Sequence, residues 1–170
     1  MELKPEQALF LLQSMLPTVE REHQITVRVL EAVPADKADY KPEPNSWTAL
    51  GLSWHIVSAE NLFLRSVAAG AFDFTPGEKK TTMPEILAFY KETFAQNFAD
   101  LQKMTGEQAA KIVDFRGMMQ LPAVSFVTFN NNHVLHHRGQ LSVYLRPMGG
   151  KVPAIYGESY DSKMAQASKG

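Results

Sequence analysis

Proline and glycine divide this chain into four long segments in which apolar residues recur at helical spacing. The segments run from residue 6 to about 33, from 47 to about 69, from 84 to 101 and from 122 to about 146. Apolar residues three and four positions apart line one face of a helix, which must be buried against another element. No convincing run of strands accompanies these segments. The pattern predicts an all-α fold, and specifically a four-helix bundle.

Local signals predict how these helices begin and where they are interrupted. Pro17 lies within the first segment and predicts a kink or a restart there, because proline lacks an N–H group and crowds the preceding turn. Asn45 or Ser46 is expected to cap the second helix, and Thr81 or Thr82 the third.

The length of 170 residues suits one well-buried core. We expect a single metal-binding domain over residues 1–150, with residues 151–170 forming a tail that packs on the bundle or is partly disordered. Between the third and fourth segments, residues 105–121 permit either a short hairpin or an irregular loop, and the sequence leaves both open.

Composition excludes several classes of partner. A formal net charge of −1 provides no surplus of cations for binding phosphate backbones. No stretch of about 18 apolar residues runs without polar interruption, and residues 1–7 do not resemble a signal peptide. The chain has no cysteine, which is compatible with a reducing cytoplasm. We therefore expect a cytoplasmic protein with no nucleic-acid or membrane partner.

The fourth segment carries a pair of histidines with the spacing of metal ligands. His133 and His137 are four residues apart, so both imidazoles lie on one face of a helix and can face one cation. His136 is three residues from His133, and spacing alone permits that pair almost as well. A further ligand has to come from elsewhere, where the chain offers His23 and His55.

The two remaining histidines have different surroundings. His23 lies among charged and polar residues, so we expect it on a solvated face. His55 lies in the most apolar segment, and Gly51, Ser58 and Ala59 on its own face are small, which predicts a cavity beside the imidazole. A lone buried histidine more often hydrogen-bonds across a core, but the pair in the fourth segment favours a metal site. Three histidines would leave coordination positions open, as in reactive metal centres.

Three neighbours of the histidine pair have candidate roles. Arg138 either pairs with an acid, which we favour, or binds an anionic substrate. Gly139 in mid-helix is expected to serve close packing or access to the site, because glycine costs roughly 1 kcal/mol relative to alanine there. Asn130 lies one turn before His133 and is a candidate neighbour of the site.

Residues 133–140, which read His-Val-Leu-His-His-Arg-Gly-Gln, follow a tryptophan-led helix bearing His55. This combination resembles the DinB/YfiT-like superfamily, and the resemblance extends from the first helix to about Gly150. It implies a four-helix bundle of up-down-down-up topology, often a homodimer.

The resemblance also implies a ligand set. One histidine of the second helix and two of the fourth bind a divalent metal in this superfamily, and the matching positions are His55, His133 and His137. His137 directly precedes Arg-Gly-Gln, which leaves His136 outside the ligand set. Zinc or nickel is the metal we expect.

Finally, the resemblance implies a type of chemistry. The characterised members are transferases and isomerases that use a low-molecular-weight thiol such as bacillithiol, mycothiol or glutathione. This chain would then be a metal-dependent enzyme acting on a small-molecule substrate, a thiol-dependent S-transferase or a related hydrolase. The thiol would supply the sulfur that a cysteine-free chain lacks. The alternative is a non-catalytic metal-binding stress-response protein.

Overall fold

The computed structural model describes residues 2–168, which form a mostly helical fold with one small sheet. The helices are α1 (Pro5–Glu31), α2 (Ala49–Ala69), α3 (Met83–Gln102), α4 (Gly106–Ala110), α5 (Ser125–Leu145) and α6 (Tyr160–Ala167), with a 3₁₀ turn at Ala35–Lys37. Strands β1 (Ile112–Phe115) and β2 (Met119–Pro122) form an antiparallel pair. The fold is mostly helical, as predicted, and the sheet departs from the all-α class in the segment where the sequence left a short hairpin open.

The four long helices bury their apolar faces against one another. Helix α2 packs against α3 and α5, and α1 packs against α3, α4 and α5. Two clusters of buried side chains result, both with contributions from all four long helices. Leu52, Ile56, Ile86 and Leu141 belong to one, and Leu12, Leu64, Leu101 and Phe126 belong to the other. The contact between α2 and α5 is the one that positions the histidines.

Helix α1 runs unbroken from Pro5 to Glu31 with Pro17 inside it. The expected restart does not occur. Pro17 is exposed to solvent, so its ring lies on the outer face of the helix and the tertiary contacts on the opposite face hold the two halves in one element.

Helices α2 and α3 are both capped by a side-chain oxygen, as predicted, but at α2 the capping residue differs from the predicted ones. Thr48 caps α2, its hydroxyl oxygen accepting the Gly51 N–H at 2.9 Å. Neither Asn45 nor Ser46 caps it, because the helix begins at Ala49 and both residues belong to the preceding turn, where the Asn45 N–H and the Ser46 hydroxyl donate to the Glu43 carboxylate. Helix α3 is capped by Thr82, one of the two predicted threonines.

The hairpin settles the alternatives for residues 105–121. After the short helix α4, β1 and β2 pair with Phe115 opposite Met119. Arg116 and Gly117 both have positive φ, 57° and 71°, as a type I′ turn requires. The Asp114 carboxylate accepts the Gly117 N–H at 2.9 Å and stabilises the turn.

The tail contacts the long helices between residues 152 and 161, and residues 163–168 are exposed. Val152 and Ile155 contact the first apolar cluster, and Asp161 accepts the Val152 N–H at 2.9 Å. Helix α6 was not predicted. The expected disorder of the last residues concerns positions 169–170, which lie outside the described residues. Within residues 2–168, every helix is too short or too polar to cross a bilayer.

Candidate metal site

Three histidines from two helices converge on one point. The Nε2 atom of His55 on α2 lies 2.9 Å from Nε2 of His133 and 3.2 Å from Nε2 of His137, both on α5. The candidate ligand atoms of all three lie within 4.8 Å of one another. The four-residue spacing on α5 aligns two rings, and the packing of α2 against α5 brings the third. The three residues predicted from the sequence thus meet in the fold.

These nitrogen separations are close to those expected around a bound cation. Zinc binds imidazole nitrogen at about 2.0–2.1 Å, which places neighbouring nitrogens of a tetrahedral site about 3.4 Å apart. A single Nε2 proton on His55 cannot satisfy both short contacts with good geometry. Lone pairs on all three nitrogens, in contrast, can face one ion. The arrangement fits a metal better than a network of hydrogen bonds.

Burial keeps the imidazoles of His55 and His133 neutral. Burial, together with a smaller contribution from the nearby His137 ring, lowers the pKa of His55 to about 4. Burial likewise lowers the pKa of His133 to about 4, with smaller contributions from His137, His55 and His136. Neutral imidazole is the form that binds metal, so both rings are ready as ligands at neutral pH.

Hydrogen bonding orients one of the rings. The Nδ1 atom of His137 lies 3.1 Å from Oε1 of Gln140, which can only accept, so Nδ1 carries the proton and Nε2 presents its lone pair. His133 Nδ1 is buried and has no hydrogen-bond partner among the described residues, and the same holds for Oδ1 of Asn130. Asn130, predicted as a neighbour of the site, is buried one turn before His133.

The other two histidines lie outside this cluster. His136 is exposed, with its ring centroid 4.8 Å from that of His137, so the fold decides between the two pairings that spacing left open. The prediction for His23 is wrong, because it is buried and stacks on Phe94 with 3.6 Å between ring centroids. Its Nδ1 atom lies 3.4 Å from a carboxylate oxygen of Glu60.

Arg138 pairs with an acid, as predicted. Its guanidinium is buried and lies 2.8 Å from the carboxylate of Glu22 on α1. It also donates to the Glu22 carbonyl, to Thr26 Oγ1 at 3.3 Å and to the Tyr156 hydroxyl at 2.6 Å. Successive helical residues differ by about 100° around the axis. Anchoring Arg138 to α1 therefore turns the adjacent His137 toward α2.

Glu22 and Tyr156 were missed by the sequence reasoning. Glu22 stands in a charged run that is typical of a solvated face, and Tyr156 lies in the tail. Only their contacts with Arg138 reveal their role. The prediction for Gly139 is not supported, since the position is exposed and a Cβ atom built there meets no described atom within 4 Å.

Open space surrounds His55, as its small neighbours predicted. Two clefts of about 540 and 640 Å³ share Trp54, His55 and Ser58 as a common wall. Ala59 lines the first cleft and Gly51 the second. At the second cleft the Trp47 ring packs edge-on against His55, with 4.4 Å between centroids. Of the three histidines, His55 is the one that lines these clefts, so a small molecule in either cleft can reach its ring.

Comparison with known proteins identifies relatives over most of the chain. The model of the DinB family matches residues 7–168. The protein YjoA of Bacillus subtilis is 25% identical over 127 residues, which cover 74% of this chain and 82% of YjoA. YrdA of the same organism is 26% identical over 151 residues, covering 86% of this chain and 88% of YrdA.

Solved structures share the fold. The crystal structure of YjoA, a DinB-like protein, gives a TM-score of 0.71 at 24% identity, covering 85% of this chain and 99% of that one. A DinB-like protein from Bacillus cereus gives 0.73 at 26% identity, with 85% and 97% covered. The mycothiol-dependent maleylpyruvate isomerase gives 0.58 at 14% identity, with 82% and 61% covered, which shows a shared fold only.

Proposed function

The chain belongs to the DinB family, and from that premise we propose that His55, His133 and His137 bind a divalent metal and that the protein is a metal-dependent enzyme. The observation that carries the proposal is the approach of their three Nε2 atoms, at 2.9 and 3.2 Å from His55. Zinc and nickel both accept neutral imidazole nitrogen readily, so either fits this donor set.

In this proposal the three neutral histidines hold the ion beside the two clefts that His55 lines. A divalent ion held by His55, His133 and His137 would lower the pKa of a bound thiol or water and would polarise an electrophile. Because all three ligands are neutral, none of them offsets the charge of the ion. Gln140 fixes the ring of His137, and the two clefts on either side of His55 admit reactants.

We propose thiol-dependent S-transfer, or a related hydrolysis, as the reaction class. In the transfer, a bond forms between the sulfur of a low-molecular-weight thiol and the electrophile, the thiol proton is released to solvent, and the leaving group departs with its electron pair. Two observations support this choice. The chain has no cysteine to serve as the sulfur nucleophile, and a structural neighbour is a mycothiol-dependent isomerase.

The same proposal covers the architecture around the site. The contacts of α1 and α2 with both α3 and α5 support a four-helix bundle, and the up-down-down-up topology that the family resemblance implies is part of the proposal. We also propose that the protein is cytoplasmic and acts on a small molecule, and that it is a homodimer, as the family resemblance implies.

A thiol-transfer assay tests the function. Protein loaded with zinc or with nickel is mixed with glutathione, bacillithiol or mycothiol and the fluorogenic electrophile monochlorobimane, and formation of the fluorescent thioether is followed. We expect metal-dependent turnover with at least one thiol. His55→Ala should reduce the rate to that of metal-free protein while circular dichroism shows an intact helical fold. The matched control His136→Ala should retain the rate.

A different combination of results would contradict the proposal that the protein is an enzyme. If no thiol gives metal-dependent turnover, and His55→Ala instead causes a large drop in melting temperature, the metal is structural. The alternative of a non-catalytic metal-binding stress-response protein would then be favoured.

A further inference from the structure

The first cleft runs along helix α2 away from the histidine cluster. One wall comes from a single face of α2 and includes His55, Ser58, Leu62 and Arg65. At a rise of about 1.5 Å per residue, the ten residues from His55 to Arg65 span about 15 Å. A molecule bound here would reach from the imidazole cluster at one end to the Arg65 guanidinium at the other.

Two guanidinium groups stand at the distant end without a carboxylate partner. Arg65 donates to the Asp73 carbonyl at 2.7 Å, and its Nε is buried without a hydrogen-bond partner among the described residues. Arg116 lies over the Phe74 ring, 4.2 Å from the centroid. Within residues 2–168, neither guanidinium has a carboxylate oxygen within 4.0 Å. Asp73 also lines this end. Its carboxylate accepts the Thr75 N–H at 2.9 Å, and the pKa of this carboxyl is lowered mainly by hydrogen bonding with Thr75 and to a smaller extent by the charge of Arg65. Two guanidinium groups and one carboxylate leave this end with a net positive charge.

The backbone conformation of Arg116 is a further indication that its guanidinium serves the cleft. This residue has φ of 57° in the hairpin turn, a conformation that asparagine, aspartate or glycine adopts more easily. Arginine in this position directs a long cationic side chain across Phe74 at the wall of the cleft. Turn chemistry alone does not favour that residue.

The remaining charges around His55 are consistent with an anionic ligand. In the first cleft, Lys80 is neutralised by Glu78, since their charged atoms lie 2.7 Å apart. The second cleft is lined by Lys41 and Lys79 and by no acidic residue. Both approaches to His55 are thus cationic on a chain whose formal net charge is −1.

We propose that the first cleft binds an elongated carboxylate-bearing small molecule, with its carboxylate held by Arg65 and Arg116 and its reactive end at His55. Guanidinium matches a carboxylate with two parallel hydrogen bonds. Trp54, Phe74 and Phe89 provide aromatic walls for the body of the molecule. The inference rests on the proposed function, because it names the class of substrate or thiol that the same site accepts.

The intrinsic fluorescence of the protein gives a direct test. Trp47 and Trp54 are the two tryptophans of the chain, and each lines at least one of the clefts. Zinc-loaded protein is titrated with glutathione, which carries two carboxylates, and with its diethyl ester. We expect the carboxylate form to bind at least about tenfold more tightly, as loss of a charge-assisted hydrogen bond implies.

Substitutions locate the carboxylate. Arg65→Gln and Arg116→Gln should each weaken glutathione binding by about tenfold and leave binding of the ester unchanged. Arg116→Lys keeps the charge but cannot donate two parallel hydrogen bonds, so it should bind glutathione more tightly than Arg116→Gln and less tightly than the wild type. Arg28→Gln removes an exposed cation that lies outside both clefts and has no contact with Glu22, and it serves as the control. Melting curves confirm that each variant is folded.

Failure of this proposal is distinguishable from failure of the proposed function. If glutathione binds no more tightly than its ester, or if both arginine substitutions leave its affinity unchanged, the carboxylate site is refuted whatever the metal does. If arginine-dependent binding is found and also persists in His55→Ala, but turnover is absent in every protein, the carboxylate site stands and the enzymatic proposal fails.

Discussion

Breaking the ion pair between Arg138 and Glu22 should destabilise the protein strongly, because both groups are buried. Arg138→Met retains most of the hydrocarbon stem and removes the charge. The Glu22 side chain is 5% exposed, so its carboxylate would be left in the interior without its principal partner. Removing one member of a buried ion pair costs about 3–5 kcal/mol.

The remaining donors place the expected cost at the lower end of that range. The Tyr156 hydroxyl still donates to Glu22 at 2.9 Å, and Arg21 lies 3.5 Å away. We therefore expect a loss of about 3 kcal/mol in the free energy of unfolding. For a chain of this size that corresponds to about 6–12 °C in melting temperature.

A double-mutant cycle separates the pair from the packing. Urea denaturation would be measured for the wild type, Arg138→Met, Glu22→Leu and the double variant. Replacing both partners by apolar groups is often nearly neutral, so the double variant should be more stable than Arg138→Met by about 2 kcal/mol or more. The reasoning is refuted if Arg138→Met costs less than about 1 kcal/mol, the value typical of solvent-exposed pairs.

Two further predictions concern the histidine cluster. Gln140→Ala removes the acceptor for His137 Nδ1 and should weaken zinc binding by about tenfold. This is the lower end of the effect of such supporting groups, because Gln140 is exposed. Competition with a fluorescent chelator measures the zinc affinity, and an unchanged affinity would show that the contact does not orient the ring. The lowered pKa of His55 and His133, about 4 in the folded chain against 6.5 ordinarily, means that the unfolded chain binds more protons between these values. Stability of the metal-free protein should therefore be complete above about pH 6.5 and decline as the pH falls toward 4. The midpoints of urea denaturation across this pH range would show the decline. The variant with glutamine at both His55 and His133 should show a weaker dependence of the midpoint on pH. The same dependence in wild type and variant would contradict the assignment of the decline to these two histidines.

The helices were predictable because their signals are local. Apolar periodicity between proline and glycine breaks located all four long helices, and the Thr82 cap of α3 follows from the sequence nearby. Pro17 and the α2 cap were less predictable, since tertiary packing holds α1 together and the Glu43 turn occupies Asn45 and Ser46.

Within the candidate site, too, features with local signals could be predicted, and features that depend on contacts between helices could not. Spacing on a single helix identified His133 and left His136 and His137 as alternatives, between which the family resemblance chose His137. The apolar segment and small neighbours of His55 favoured it as the third residue, and the resemblance implied the same position. The contacts of His23 with Phe94 and of Glu22 with Arg138 depend on other helices, and charged neighbours in the sequence concealed the burial of both residues. Arg65 and Arg116 belong to α2 and the hairpin turn, and no local pattern indicates that they line one cleft.

Zinc binding to purified, metal-free protein tests the central claim most directly. Isothermal titration with a competing chelator should give one zinc ion per chain for the wild type and for His136→Ala. Alanine at His55, His133 or His137 should each weaken binding by more than about 100-fold, because loss of a supporting group alone gives about 10–100-fold. Absence of stoichiometric binding in the wild type, or equal affinity in all four variants, would contradict the account.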